Sequence, residues 1–219
     1  MPSCVCWHRL VARDNLHYME LVVSKPRYTV SEYLRREREA LEKHEYRDGE
    51  ILLRGGGSSD HSLIVANVIG VIHGRLKGKS CHVYDSNLRV KIPRTVLYTY
   101  PDATVICGPR AFDPSDDEQK TVINPRLIVE VLSSTTEAYD RGEKFNRYRH
   151  IESFQQYVLV TPGTPRIEVF LRQGQGLWQL AVYSGLEAIA KLGAIDVELP
   201  LAEVYGGVDF GRTPEAMAE

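Results

Sequence analysis

Apolar positions fall at helical spacing in some stretches of the chain and alternate or run together in others, and their succession predicts the elements. Thr29 followed by Glu32 is a capping-box pattern, opening a charged helix to about Lys43 with Val30, Leu34 and Leu41 as its buried stripe. His44–Arg47 and Glu50–Leu53 read as strands around Asp48-Gly49, a dipeptide favoured in tight hairpins. Beyond Gly55-Gly56-Gly57, Ser58, Ser59 or Asp60 caps a second helix whose Ile64, Val68, Ile69 and Ile72 face a sheet. Residues 82–92, 100–107 and 126–132 are β-prone. Residues 108–124, with Asp113, Asp116, Asp117 and Glu118, suit a solvated loop. A helix is predicted over residues 140–150, then antiparallel strands over 156–160, 167–172 and 177–183 and a short element over 199–205. That order predicts an α+β fold.

Composition changes the picture little. With 219 residues, 43% hydrophobic and 26% charged, the chain has material for one cored domain. We place it at residues 26–212, after an aperiodic tail over 1–25 that ends at Lys25-Pro26, and before a short tail over 213–219. A net charge of -2 supplies no global attraction to nucleic acid or acidic lipid, so any nucleic-acid contact must be local. Neither a secretory signal nor a bilayer-length apolar run is present, which predicts a cytoplasmic protein without membrane contact. The four cysteines are too few and scattered for a disulfide framework, so reduced thiols are expected, and Cys4, Cys6 and His8 are too irregularly spaced for a metal site.

Chemistry enters with Glu130. In Leu127-Ile128-Val129-Glu130-Val131-Leu132 both strand faces are apolar, so the carboxylate needs a compensating partner. A structural arginine such as Arg89 or Arg149 is one candidate; a metal shared with Asp102, which follows Tyr100-Pro101 on another β run, is the other. Two converging carboxylates suit Mg²⁺, or Mn²⁺, and phosphodiester chemistry.

Pro101-Asp102, then Glu130-Val131-Leu132 after 27 intervening residues, resembles the PD-(D/E)XK nuclease signature with Leu132 in place of its lysine. The wider pattern from about Tyr28 to Phe210 is similar to the Uma-two family of restriction-endonuclease-like proteins. It includes Tyr28-Thr29-Val30-Ser31-Glu32-Tyr33, His44-Glu45-Tyr46-Arg47-Asp48-Gly49-Glu50-Ile51, His61-Ser62 and Asp140-Arg141-Gly142-Glu143-Lys144-Phe145-Asn146-Arg147-Tyr148. The resemblance implies a central mixed β-sheet flanked by helices. It implies Asp102, Glu130 and Glu45 as metal ligands, Lys144 as the lysine migrated to a helix, and His61 and Tyr148 as accessory groups. Arg141, Lys144, Arg147 and Arg149 also make that helix locally basic, a feature that could guide phosphates. The expected activity is Mg²⁺-dependent cleavage of double-stranded DNA by a homodimer; a catalytically inactive module binding nucleic acid or protein is the alternative. For Glu45, His61 and Tyr148, plain structural roles stay open.

Overall fold

The computed structural model describes residues 27–211. The tails expected over 1–25 and 213–219, and with them Cys4, Cys6 and His8, lie outside the described residues. Helix α1 (Val30–Glu39) opens on the capping box: Thr29 Oγ1 accepts from the Glu32 amide, and the Glu32 carboxylate accepts from the Thr29 amide at 2.7 Å. It stops at Ala40, whose extended backbone turns the chain out before Lys43. Leu41 is therefore exposed, and Tyr33 and Leu34 carry the buried face. Strands β1 (His44–Arg47) and β2 (Glu50–Leu53) form the expected hairpin, with Asp48 and Gly49 both at positive φ as the two-residue turn requires. Helix α2 (Ser59–Leu76), capped by Ser58, buries Ile64, Val68, Ile72 and Leu76.

The β-prone stretch 82–92 is two strands in different sheets, β3 (Cys81–Asp85) and β4 (Arg89–Ile92), and pattern reading missed β5 (Leu97–Thr99). Next come β6 (Ala103–Cys107), β7 (Thr121–Val122) and β8 (Leu127–Val131). The helix predicted over 140–150 is composite: α3 (Glu137–Tyr139), a π segment (Asp140–Lys144) and α4 (Phe145–Tyr148). Strands β9 (Gln156–Thr161), β10 (Arg166–Arg172) and β11 (Trp178–Ser184) match expectation. A hairpin of β12 (Ile189–Leu192) and β13 (Val197–Pro200), also missed, leads into α5 (Leu201–Val204).

The larger sheet runs β11-β10-β9-β8-β6-β3 and is antiparallel except between β8 and β9. Strand β8 lies inside it and is covered on both faces, which is why it reads as an apolar run. Leu127, Val129 and Val131 join α2, β13 and α5 in one core cluster; Ile128 and Leu132 join Phe145, Tyr148, Phe154 and Tyr157 in another. The second sheet, β2-β1-β5-β4-β7, contributes Val90, Ile92, Leu97 and Val122 to that latter cluster. Leu132, in the place of the signature lysine, is core packing. The architecture is α+β.

Two expectations are overturned here. Residues 108–124 are not a solvated loop throughout: β7 pairs with β4, and Asp113 and Asp116 are buried. Asp113 accepts from Lys91 Nζ and Tyr98 Oη, both at 2.7 Å, and Asp116 accepts from Arg89 Nη2 at 2.9 Å and Thr121 Oγ1 at 2.6 Å. These partners from β4, β5 and β7 compensate the buried charges, a pairing that composition does not report. The thiols of Cys81 and Cys107 are not reduced either. They face each other in the β3–β6 register and form a disulfide, although they stand 26 positions apart in the chain.

Candidate active site

Sheet register brings the two acids together. Ala103 pairs with Val129 across β6 and β8, so one further step sets Asp102 opposite Glu130. Both are buried. Asp102 Oδ1 accepts from Arg54 Nη2 at 2.6 Å; its Oδ2 accepts from the Val131 amide at 2.8 Å and lies 3.3 Å from His61 Nε2. Glu130 Oε1 lies 2.8 Å from Lys144 Nζ and accepts from Tyr148 Oη at 2.9 Å. The alternative arginines are engaged elsewhere, Arg89 with Asp116 and Arg149 with Asn146.

The π segment delivers the lysine. Asp140 and Lys144, its first and last residues, are both buried, with Asp140 Oδ1 3.2 Å from Lys144 Nζ. Tyr157 Oη donates to the Asp140 carbonyl at 3.1 Å and ties the widened turn to β9. Single π turns inside α-helices are frequent at functional sites. Glu45 reaches in from β1: Oε1 accepts from Thr99 Oγ1 and lies 3.7 Å from Lys144 Nζ.

Two of the remaining basic residues of this helix are paired with acids, while Arg149 is exposed and bonds to Asn146. Arg141 is spent on Glu137 and Glu168, and Arg147 on Asp48, Glu143 and the Thr95 carbonyl. Helical spacing displays the positive charges but hides the acids that other strands bring to them.

Three carboxylates therefore surround one ammonium. Burial pushes the Lys144 ammonium down, but the charges of Glu130, Glu45 and Asp140 outweigh it and hold its pKa well above the usual lysine range. It is a fixed cation at neutral pH. Burial pushes the Glu130 carboxyl up to about 7, with Lys144 opposing and Asp140 and Asp102 adding to the rise. Asp102 goes the other way: burial raises it, but the His61 hydrogen bond and the Arg54 charge prevail and hold it below the carboxylate range. The hydrogen bond to Asp102 raises the His61 imidazole in turn. For Tyr148, burial and then the Glu130 charge keep the phenol protonated, so it remains a donor.

All of these groups except Tyr148 line a cavity of about 340 Å³ whose wall includes Gly55, Gly56 and Gly57. A Cβ on Gly57 would stand 2.4 Å from His61 Nδ1 and 2.7 Å from its Cγ. Gly57→Ala is therefore expected to displace the imidazole from Asp102 and to remove about 1.5–3 kcal/mol, the usual contribution of a hydrogen bond to a charged group. Thermal melts with histidine ¹⁵N NMR check both; an unmoved imidazole with unchanged stability overturns the steric argument.

A family model described as "Putative restriction endonuclease", Uma2, matches residues 30–202. The chain belongs to the Uma2 family. Relatives of this Uma2 chain include the "Uncharacterized protein slr1290" of Synechocystis sp., 36% identical over 187 residues, covering 84% of this chain and 95% of the relative. Another, "Uncharacterized protein sll1609" of the same organism, is 33% identical over 170 residues, covering 78% and 95%. Among solved structures, one titled as a "putative nuclease belonging to DUF820" from Anabaena variabilis superposes with a TM-score of 0.62 at 18% identity, covering 78% of this chain and 96% of that one. The likeness bears out the expected mixed α+β fold. No helix among the described residues is long and apolar enough to cross a membrane.

In this Uma2 chain Asp102, Glu130, Lys144, Glu45 and His61 line one cavity, and Tyr148 donates to Glu130 from behind it. Among the described residues no three His, Cys, Asp or Glu side chains converge as a ready ligand group, and Glu45 stands against Lys144 rather than completing a triad with the two acids. The donor set nevertheless fits a hard dication. Mg²⁺ commonly takes one or two carboxylates and fills its shell with water and phosphate. Four carboxylates, Asp102, Glu130, Glu45 and Asp140, line the cavity; the basic groups against them are Lys144, Arg54 and His61, and Arg47, also in the lining, pairs with Glu143. Sequence reading gave no role to Arg54 or Thr99 and no site role to Asp140. Asp140 stood within the quoted motif, whereas Arg54, beside three glycines, carries no periodic signal.

Proposed function

We propose that this chain is a Mg²⁺-dependent endonuclease acting on DNA, with Mn²⁺ as an alternative ion. The observation that carries the reading is the placement of Asp102 opposite Glu130, with the Lys144 ammonium 2.8 Å from Glu130. Asp102 and Glu130 would hold the ion, which supplies charge neutralisation at the scissile phosphate. Lys144, a fixed cation, orients the attacking water or stabilises charge growing on the phosphoryl oxygens. Tyr148 and Lys144 together hold Glu130 Oε1, while Arg54, His61 and the Val131 amide hold both oxygens of Asp102. Glu45 and Asp140 keep Lys144 charged and in position.

The test incubates purified protein with plasmid, linear and single-stranded DNA, with and without Mg²⁺. Cleavage that needs the ion and falls to background in Asp102→Ala and Glu130→Ala is expected; equal activity in all three proteins overturns the assignment. The competing reading, a nuclease-fold module without catalysis, is favoured by one observation: both Asp102 oxygens already have protein partners. Calorimetry separates the two, because Mn²⁺ binding lost in Asp102→Ala supports the enzyme and no Mn²⁺ binding by the wild type supports the module.

We also propose a homodimer. Strand β11 is a sheet edge without a charged residue, and Leu180 and Val182 are exposed on it. Antiparallel self-pairing about Ala181 would set Leu180 against Val182 and cover the edge. Light scattering is expected to report a dimer that Leu180→Lys dissociates; a monomeric wild type overturns this.

A further inference from the structure

The cavity that holds Lys144 does not end at Asp102. A second cavity, of about 560 Å³, adjoins it and shares Arg54, Gly55, Gly56, Gly57, His61 and Asp102 with it. The two chambers differ in charge. The first gathers Glu45, Glu130 and Asp140 around Lys144; the second adds Lys43, Ser62 and Ser86 to the shared Arg54, His61 and Asp102, with Glu42 as its added acid.

Lys43 is held in place without a carboxylate: its Nζ donates to the Ser86 carbonyl at 2.9 Å, and it forms no ion pair among the described residues. Burial pushes its ammonium pKa down, and the nearby Arg54 charge adds to the push. Arg54 gives Nη2 to Asp102 but has a buried Nη1 with no acceptor among the described residues. Cationic donors beside the acidic chamber are thus left with capacity for an anion.

The glycines point the same way. Gly55 and Gly56 are exposed and outside the left-handed region, and a Cβ on either would meet nothing within 4 Å. Neither backbone strain nor internal packing calls for glycine at these positions. What their bareness provides is close access to the rim common to the two chambers.

We propose that the second chamber is a phosphate subsite, in which Lys43 and Arg54 bind a phosphodiester of the nucleic-acid strand flanking the scissile one and the bare Gly55–Gly56 rim lets the strand pass between chambers. This rests on the nuclease reading. A chamber that adds Lys43 beside Arg54 for the flanking phosphate, next to one that adds Glu45, Glu130 and Asp140 for the dication, divides the groove according to the charges that meet in it.

The test uses the full chain with fluorescein-labelled single-stranded and duplex DNA in Ca²⁺ buffer, titrated at several salt concentrations. Lys43→Gln and Gly56→Asp are each expected to weaken DNA binding about tenfold, the size of one lost charged hydrogen bond. Lys43→Gln should also flatten the dependence of log K on log salt for duplex by about 0.9, as loss of one phosphate contact does. Mn²⁺ affinity by calorimetry and the thermal midpoint report whether each variant keeps its fold and acidic chamber. Wild-type DNA affinity and salt slope in both variants would overturn the subsite and leave the nuclease reading standing. A wild type that binds no DNA would overturn both.

Discussion

Lys144→Met is expected to lose about 3–5 kcal/mol of stability, the usual cost of breaking a buried ion pair from one side, and to lose cleavage with it. The lysine is buried at 5% exposure and stands 2.8 Å from Glu130, 3.2 Å from Asp140 and 3.7 Å from Glu45. Methionine fills similar space but leaves three carboxylates facing one another without their cation. Removing a donor aimed at developing charge costs about 10²–10³-fold in turnover, so the folded fraction should be inactive as well as scarce. Urea melts and single-turnover cleavage separate the two losses. Adding Glu130→Gln to Lys144→Met should return part of the stability and none of the cleavage, since the groups share one network. A Lys144→Met protein within about 0.5 kcal/mol of wild type would place the lysine outside the buried pair, because ordinary surface changes fall in that range.

Arg89→Leu is expected to cost as much stability, about 3–5 kcal/mol, and to leave turnover per folded molecule intact. Arg89 is 4% exposed and donates to Thr121 Oγ1 at 2.7 Å, Tyr100 Oη at 3.3 Å and Asp116 Oδ2 at 2.9 Å. Leucine would leave the Asp116 carboxylate buried without its cation. Burial raises Asp116, but Thr121, Arg89 and the Glu118 backbone outweigh it and hold its pKa below 3.8; Asp113 is lowered in the same way against burial by Lys91 and Tyr98. The sign follows from the depressed values. These acids stabilise the fold above the unfolded pKa near 3.8, and that contribution is lost as pH falls through the lower folded values. The penalty of Arg89→Leu should therefore shrink as Asp116 protonates in acid. Urea melts from pH 7 to pH 3 test this, and a penalty that grows toward acid would contradict the pairing.

These two variants mark where pattern reading succeeds and where it stops. The Asp48-Gly49 hairpin, the Thr29 capping box and the two-faced burial of β8 were legible because each depends on neighbours within a few residues. Asp102 and Glu130 were legible as a pair because a carboxylate in an apolar strand needs compensation. Arg54, the buried acids Asp113 and Asp116, and the Cys81–Cys107 disulfide were not, since each depends on a strand register between distant segments. Leu41 shows the opposite error: it continues a helical stripe that the helix has left by Ala40.

The π segment gives the lysine's position a different kind of dependence. Regular α winding turns each residue by about 100°, and a single π turn accommodates one residue beyond that winding. Lys144 sits at the end of that turn, with Phe145 and Tyr148 already seated in the core beyond it. Its bearing on Glu130 is thus set by the count of residues between two anchored points. Loss of one residue from 141–143 would return the segment to regular α winding between the same two anchors, so what the extra residue sets is the bearing of Asp140 on Lys144, and with it the third carboxylate of the cluster.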